Sequence, residues 1–372
     1  MGDERVLYRM ALTLKNYDYD SSIIATFDKD DTKIKEQTNN LNLQLVGLGK
    51  RNSNLKDRLS HLLQLAIVAF KSKYRVIQFH DPDLLLIAPI LKLLGKRVVY
   101  DVHDDYEANI LVRTNEKPLF GWLVSKLWWF FERNISKVFD GIVVADRHLA
   151  AKFEGLNPVI LGNFPRLYFT AVADTSTETT FNIIYVGGVD RRRGIDKLLD
   201  ALELLPYDDI RFHVVGECRD KMLLERLKSN PRVVCLGRVA WTDLHKYYTR
   251  AHVGIAFYQP IPSFLYYPGE NSVKIIEYMA AGIPVICSDF PGLKTFVEDA
   301  GYGLTVQPDN PPAISEKIKF LYEHSDARKQ MGQNGRRAFE TEYNWEKHEG
   351  KLIALYMRIL EEKSVKSLTG AN

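Results

Sequence analysis

Cysteine is scarce. The 372-residue chain has only Cys218, Cys235 and Cys287, an odd number without close spacing, which excludes a disulfide framework and a structural zinc site. Charge of one sign is scarce too: 50 Lys and Arg against 47 Asp and Glu leave a formal net charge of +3, far below what a dedicated nucleic-acid binder carries. Nucleic acid is therefore not an expected partner. Long apolar runs are missing, since residues 62–70 and 84–94 are short or interrupted and Asp3, Glu4 and Arg5 break the amino terminus. Neither a signal peptide nor a membrane-spanning helix is expected, and the cytoplasm is the expected compartment. No strand is followed by GxGxxG, and the P-loop spacing is absent, which weighs against a dehydrogenase. What remains is ordinary globular composition, 46% hydrophobic and 26% charged, in a chain long enough for two or three cores.

Short β-branched runs at 23–27, 41–46, 76–79, 98–102, 142–144 and 159–161 alternate with longer amphipathic stretches and read as βα units. The polar tract AVADTSTETT, residues 171–180, reads as a linker. A second βα series follows, with strands expected at 182–186, 212–215, 233–236, 253–257 and 284–287. Two α/β domains result, and parallel sheets of this kind place ligands at the carboxyl ends of their strands. From residue 326 to 363 the pattern is almost continuously helical; Asn344 and Trp345 interrupt it, and a helix restarting there can cross back onto the first domain.

Chemistry is concentrated in three segments. In YYPGENSVKIIEYMAAGIPVICSDFPG (266–292), Asn271 or Ser272 can cap a helix that Gly282 and Pro284 end. Its amino terminus is suited to phosphate. Glu277 lies among apolar residues and needs donors; sugar hydroxyls would serve, and so would an ion pair with Lys274 on an exposed face. In IIYVGGVDRRRGIDKLLDAL (183–202), Gly187 and Gly188 permit close approach of a ligand and Arg191, Arg192 and Arg193 offer cationic forks, although a solvated turn has the same composition. In FHDPDLLLIAPILKLLGKRVVYDVHDDYE (79–107), Asp81 before Pro82 fits a helix cap, and Asp81 with Asp83 also spells a metal-binding Asp-x-Asp. His103 follows a strand; it can serve a cleft or simply bond Asp101 or Asp104.

Together these segments resemble the retaining glycosyltransferases of family 4, most strongly in ENSVKIIEYMAAGIPVI, then in YVGGVDRRRGI, HDPDLLLIAPILKLLGKRVVYDVH and VVCLGRVAWTDLHKYYTRAHVGI, all in the family's order. The resemblance implies a GT-B fold, two Rossmann-like parallel-sheet domains facing a central cleft. The first, acceptor-binding domain would span 1–168 with 349–372 packing back on it, and the second, donor-binding domain 169–348. It implies transfer of a hexose from a UDP- or GDP-linked donor to a glycan or lipid-linked acceptor, with retention and without a metal or other cofactor, in envelope or surface polysaccharide synthesis. Glu277 matches the glutamate that grips the donor ribose. Arg193 and Lys274 match basic residues near the diphosphate, and Gly187, Gly188, Ser272 and Val273 the backbone around phosphates and sugar. Gly237, Arg238 and Val239 match the loop on which the base rests, Gly216 ends the strand beneath it, and His103 matches a histidine near the transferred sugar.

Two departures stand out. The family usually has a second glutamate eight positions before Glu277; here position 269 is glycine, and Glu270 is the nearest carboxylate. The segment DERVLYRMALTL resembles the family's first helix, with no apolar strand before it, so the first sheet is expected to lack a strand unless another segment fills the gap. A nucleotide-sugar epimerase of similar architecture and a non-catalytic glycosyltransferase-like subunit are the alternative readings. Finally, Lys50, Arg51, Lys56, Arg58, Lys71, Lys73 and Arg75 surround the apolar run 62–70, with Asp57 the only acid among them. Such a helix can sit peripherally on the anionic inner face of a membrane, with the aromatic run 128–131 as a second contact, or can bury its apolar side as core.

Overall fold

Strand β4 (Arg97–Val102) shows why the short apolar runs become parallel strands: residues 98–102 are all buried, so both faces must be covered and a near-continuous apolar sequence is required. The computed structural model describes residues 5–25, 44–47, 55–114, 117–265 and 269–369. The chain divides into two units, Met1–Asn163 with His348–Asn372, and Phe164–Lys347.

In the first unit, β3 (Val76–Phe79), β4, β5 (Gly141–Val144) and β6 (Val159–Ile160) form a parallel four-stranded sheet in that order. A separate parallel pair joins β1 (Ser22–Ala25) and β2 (Gln44–Gly47). The sheet core contains Phe79, Val98, Tyr100, Ile142 and Val144. Tyr100 donates to Glu132 Oε1 at 2.6 Å, which satisfies both groups within the core. The first helical segment, Arg5–Ala11, is tied down by a buried fork: Arg5 Nε and Nη2 donate to Asp101 at 2.9 and 2.8 Å, and Nη1 donates to the Leu161 carbonyl at 2.8 Å. The last helix, Glu349–Thr369, returns to this unit. Thr13 donates to Glu349 Oε2 at 2.8 Å, Tyr356 donates to Gln78 at 2.9 Å, and Gly141 leaves room for Leu355, which a Cβ there would approach to 2.9 Å.

The second unit is a six-stranded parallel sheet ordered β12-β11-β10-β7-β8-β9. Its strands are β7 (Phe181–Val186), β8 (Ile210–Val215), β9 (Val233–Gly237), β10 (Val253–Ala256), β11 (Val285–Ser288) and β12 (Gly303–Val306). Read in chain order this is 3-2-1-4-5-6, so the winding reverses between β7 and β10, and a ligand crevice is expected at their carboxyl ends. The tract 171–180 is not a linker. It belongs to the second unit, where Ala173 N donates to the Ala281 carbonyl, Asp174 N to the Thr249 carbonyl, and Glu178 pairs with Arg250. Its lack of apolar side chains is compensated by these backbone and ionic bonds. Among the described residues no helix is long and apolar enough to cross a membrane.

Candidate functional site

At the reversal point β7 runs into Gly187 and Gly188. Gly187 has φ +136, a conformation that favours glycine, and Gly188 is exposed with open space around its Cα. Tyr185 holds the turn by donating to the Gly188 carbonyl at 2.6 Å. Gly216, at the end of β8, is equally constrained: a Cβ there would lie 1.8 Å from the Gly187 carbonyl oxygen.

The helix Val273–Ala281 begins opposite this turn and is buried on nearly every face. Gly254 lets it approach β10, because a Cβ at 254 would lie 2.4 Å from the Tyr278 ring, whose hydroxyl donates to the Ile255 carbonyl at 3.0 Å. Gly282, with φ +68, ends the helix as expected. Ser272 occupies the N-cap position, yet its hydroxyl does not cap; it pairs with the Tyr258 hydroxyl at 2.7 Å. Ile275 N and Ile276 N both donate to the Ser272 carbonyl, while the N–H groups of Val273 and Lys274 have no backbone acceptor among the described residues.

Lys274 and Glu277 are both buried, at 8% and 4% exposure, so the reading of a solvent-exposed ion pair is corrected. Lys274 Nζ lies 4.5 Å from the centroid of the Tyr185 ring and 5.3 Å from that of Tyr258, and 3.4 Å from the Tyr185 hydroxyl. Burial, with the nearby Arg193 charge adding to it, pushes the Lys274 ammonium well below its ordinary range, against the opposing pull of Glu277 and Asp190. Glu277 accepts from the Tyr248 hydroxyl at 2.7 Å.

The three consecutive arginines separate. Arg191 Nε donates to Asp220 at 2.9 Å and Arg192 pairs with Asp190 at 3.1 Å, both on the surface, so neither is a free fork. Arg193 is placed by Asp190, which accepts from its backbone N–H, and by the left-handed Gly194 behind it. Its guanidinium lies 5.2 Å from the Tyr258 ring and 4.9 Å from that of Phe264. Thus Gly187, Gly188, Arg193, Ser272, Val273, Lys274 and Glu277 are all carried by the loops and helix gathered at the reversal point. The aromatic residues that hold the cations there, Tyr185, Tyr258 and Phe264, are missed by sequence reasoning; Tyr185, next to the glycine pair in YVGG, carried the only local signal.

Beside Gly216 opens a cavity of about 540 Å³ lined by Val189, Gly216, Glu217, Cys235, Gly237 and Arg238. Gly237 has φ +65, Arg238 is exposed and ion-paired with Glu217, and Val239 packs half-buried against the core behind. Glu270 is half-buried on the turn Gly269–Asn271. Glycine at 269 is sterically imposed, since a Cβ there would sit 2.2 Å from Phe296 Cβ. His103 lies in the first unit just beyond β4. It does not bond Asp101 or Asp104: its Nδ1 is buried without a hydrogen-bond partner among the described residues, and Asp101 is taken by Arg5 and by His80, whose Nδ1 is 2.9 Å away. Asp81 stands at the N-cap position without a side-chain cap, and Asp83 accepts from Arg58 at 2.7 Å. Lys50 and Arg51 and the Lys56 side chain lie outside the described residues.

Two family models match this chain in succession: "Glycosyltransferase Family 4" over residues 2–159 and "Glycosyl transferases group 1" over residues 172–338. An uncharacterized glycosyltransferase of Methanocaldococcus jannaschii is 28% identical over 44% of this chain and 44% of its own length. The O-antigen chain mannosyltransferase B of Escherichia coli is 32% identical over 36% and 35%. The chain thus spans less than half the length of these curated relatives. Among solved structures, the sucrose-phosphate synthase of Thermosynechococcus elongatus superposes with a TM-score of 0.73 at 17% identity, covering 97% of this chain and 94% of that one. HepE of Anabaena, solved with UDP and glucose, gives 0.69 at 15% identity, covering 98% and 96%. Both share the fold, with two parallel-sheet α/β domains of the GT-B type. The two models in tandem, together spanning most of the chain, place it in the family 4-like, group 1 glycosyltransferases.

Proposed function

We propose that the chain transfers a hexose from a nucleoside-diphosphate donor to a glycan or lipid-linked acceptor, with retention of anomeric configuration, in the assembly of an envelope or surface polysaccharide. The observation that carries this reading is Lys274, a buried ammonium at a helix amino terminus, next to the Gly187 turn and close enough to Arg193 to feel its charge. Two cations and uncapped N–H groups held so close together repel one another until an anion of two or more charges arrives. As the anomeric C–O bond breaks, negative charge develops on the departing diphosphate, and these fixed groups stabilise it. Glu277 would accept from the ribose hydroxyls, and the cavity beside Gly216 and Gly237 has room for the base. The complex of HepE with UDP and glucose supports uridine diphosphate as the first probe. No metal is required in this scheme, so activity should survive EDTA; loss restored by manganese overturns that part.

The reading is tested by calorimetric titration of UDP and GDP, followed by product analysis with UDP- and GDP-hexoses. Binding of a nucleoside diphosphate and release of an α-linked product from an α-linked donor are expected. Failure to bind either nucleotide leaves the non-catalytic alternative. A lipid-linked acceptor is supported by the helix Pro118–Ser136, which exposes Leu119, Phe120, Trp122, Leu123, Leu127 and Phe130 alongside Lys126. The helix Leu55–Lys71 exposes Leu59, Leu63, Ile67 and Phe70. Co-sedimentation with anionic but not neutral liposomes at low salt is the corresponding check.

A further inference from the structure

The cavity beside Gly216 is lined by an ion pair that the backbone sets in place. Glu217 follows Gly216 at the end of β8, and Arg238 follows Gly237 at the end of β9. Gly216 N donates to the Gly237 carbonyl at 2.8 Å, so the two strand ends lie side by side, and Val189 N donates to the Glu217 carbonyl at 3.1 Å. Arg238 Nη2 donates to Glu217 Oε2, and Arg219 Nη2 reaches the same oxygen at 3.4 Å. Both bonds fall on Oε2, which leaves Oε1 unengaged among the described residues. Arg219 and Arg238 hold the Glu217 carboxyl below its ordinary range, so it stays an ionised acceptor at neutral pH. An exposed pair of this kind adds little to the fold. The rest of the lining includes Val189, Leu224 and Leu227, apolar side chains suited to the faces of a flat ring, and at about 540 Å³ the space is of ordinary ligand size.

We infer that the Glu217–Arg238 pair reads the base of the donor and selects guanine over uracil, so that the activated sugar is GDP-linked. This rests on the nucleotide-sugar reading of the site. A carboxylate joined side by side to a guanidinium offers acceptor, acceptor and donor in a row: Oε1, Oε2 and an arginine N–H. The guanine edge is the complement, with N2–H and N1–H as donors and O6 as acceptor. Uracil presents acceptor, donor and acceptor at O2, N3–H and O4, so one of its carbonyls would face a carboxylate oxygen. Adenine offers only the N6 donor beside an acceptor at N1. A base that mismatches the pair displaces its water without replacing the hydrogen bonds, and polar sites discriminate sharply for that reason. Phosphates and ribose are common to both nucleotides, so UDP still binds, but without the contribution of the pair.

The test is calorimetric titration of the full chain with GDP, UDP and inosine diphosphate, which differs from GDP only in lacking the 2-amino group. GDP should bind at least tenfold more tightly than either of the others, the order of one lost hydrogen bond to a charged group. Glu217→Gln should bring GDP and inosine diphosphate within threefold of each other, while inorganic pyrophosphate binds as it does to the native chain. Arg238→Met should weaken GDP and inosine diphosphate alike, since both carry O6. UDP binding as tight as GDP, equal binding of GDP and inosine diphosphate by the native chain, a gap between them that survives Glu217→Gln, or no effect of Arg238→Met overturns the inference and leaves the donor site standing. If no nucleotide binds, the donor reading falls with it.

Discussion

Lys274 extends towards Gly187, so that a Cβ on that glycine would lie 3.4 Å from the ammonium nitrogen. The turn that brings a ligand close and the cation that would meet it are thus one construction, built from segments almost ninety residues apart in the chain. Its charge is held in check by burial and by Arg193, and this gives a pH signature.

Replacing Lys274 with Met should weaken nucleoside-diphosphate binding by about 10- to 100-fold, the range expected for a hydrogen bond to a charged group. In the free chain the Lys274 pKa lies below its ordinary 10.5. Between the folded value and 10.5 the unfolded chain binds more protons, so this residue's contribution to stability rises with pH there. An arriving diphosphate favours the ammonium. Wherever free Lys274 is neutral, binding takes up a proton, and affinity falls as pH rises through that window. Calorimetry in buffers of different ionisation heat should show the uptake in the native chain and none in K274M; equal uptake in both refutes the assignment.

Glu277→Gln separates ribose recognition from phosphate recognition. Glutamine keeps an acceptor for the Tyr248 hydroxyl, so the melting temperature should change little. UDP binding should fall by about tenfold, the order of one charged hydrogen bond, while inorganic pyrophosphate binds as before. Equal losses for both ligands would mean that Glu277 acts on the helix rather than on the sugar.

Much of this arrangement was legible in the chain. Short β-branched runs gave the strands of both sheets except β12, because parallel strands are covered on both faces, and Gly282 with Pro284 marked where the central helix stops. The pairing of Arg191 with Asp220, the pairing of Arg192 with Asp190 and the rings that lodge Arg193 were not legible. These depend on which loops the sheet order brings together, and local pattern carries no information on that. The tract 171–180 misled for a related reason: its stability lies in bonds to Thr249, Arg250 and Ala281, which its own composition does not announce.

Arg5→Met should destabilise the first unit by about 3–5 kcal/mol, since it leaves a fully buried carboxylate without its bidentate partner. Burial alone would push the Asp101 carboxyl up, but Arg5 and His80 together hold it well below the usual carboxylate range. Its contribution to stability is therefore present above the unfolded value of 3.8 and is lost as pH falls towards the folded one. Denaturant unfolding should show the native chain losing this increment on acidification. Arg5→Met with Asp101→Asn, which leaves no carboxyl there to titrate, should lack the pH dependence; its persistence would remove Asp101 as the cause.

Gly269 and Phe296 together explain where the carboxylate before Ser272 stands. A Cβ at 269 meets Phe296 Cβ and ring at 2.2 to 2.8 Å, contacts that no side-chain rotation at 269 can relieve. Gly269→Ala should therefore destabilise the second unit by about 1–3 kcal/mol through overpacking. Phe296→Ala in the same chain should recover part of the loss by vacating the ring's space, although the single Phe296→Ala change opens a gap beside Tyr302 and Tyr343, with which the ring now packs. The coupling is the informative quantity: a double-mutant cycle should give an interaction energy of about 1 kcal/mol or more. Strict additivity would show that the backbone at 269 moves freely, and that glycine there is not imposed by Phe296.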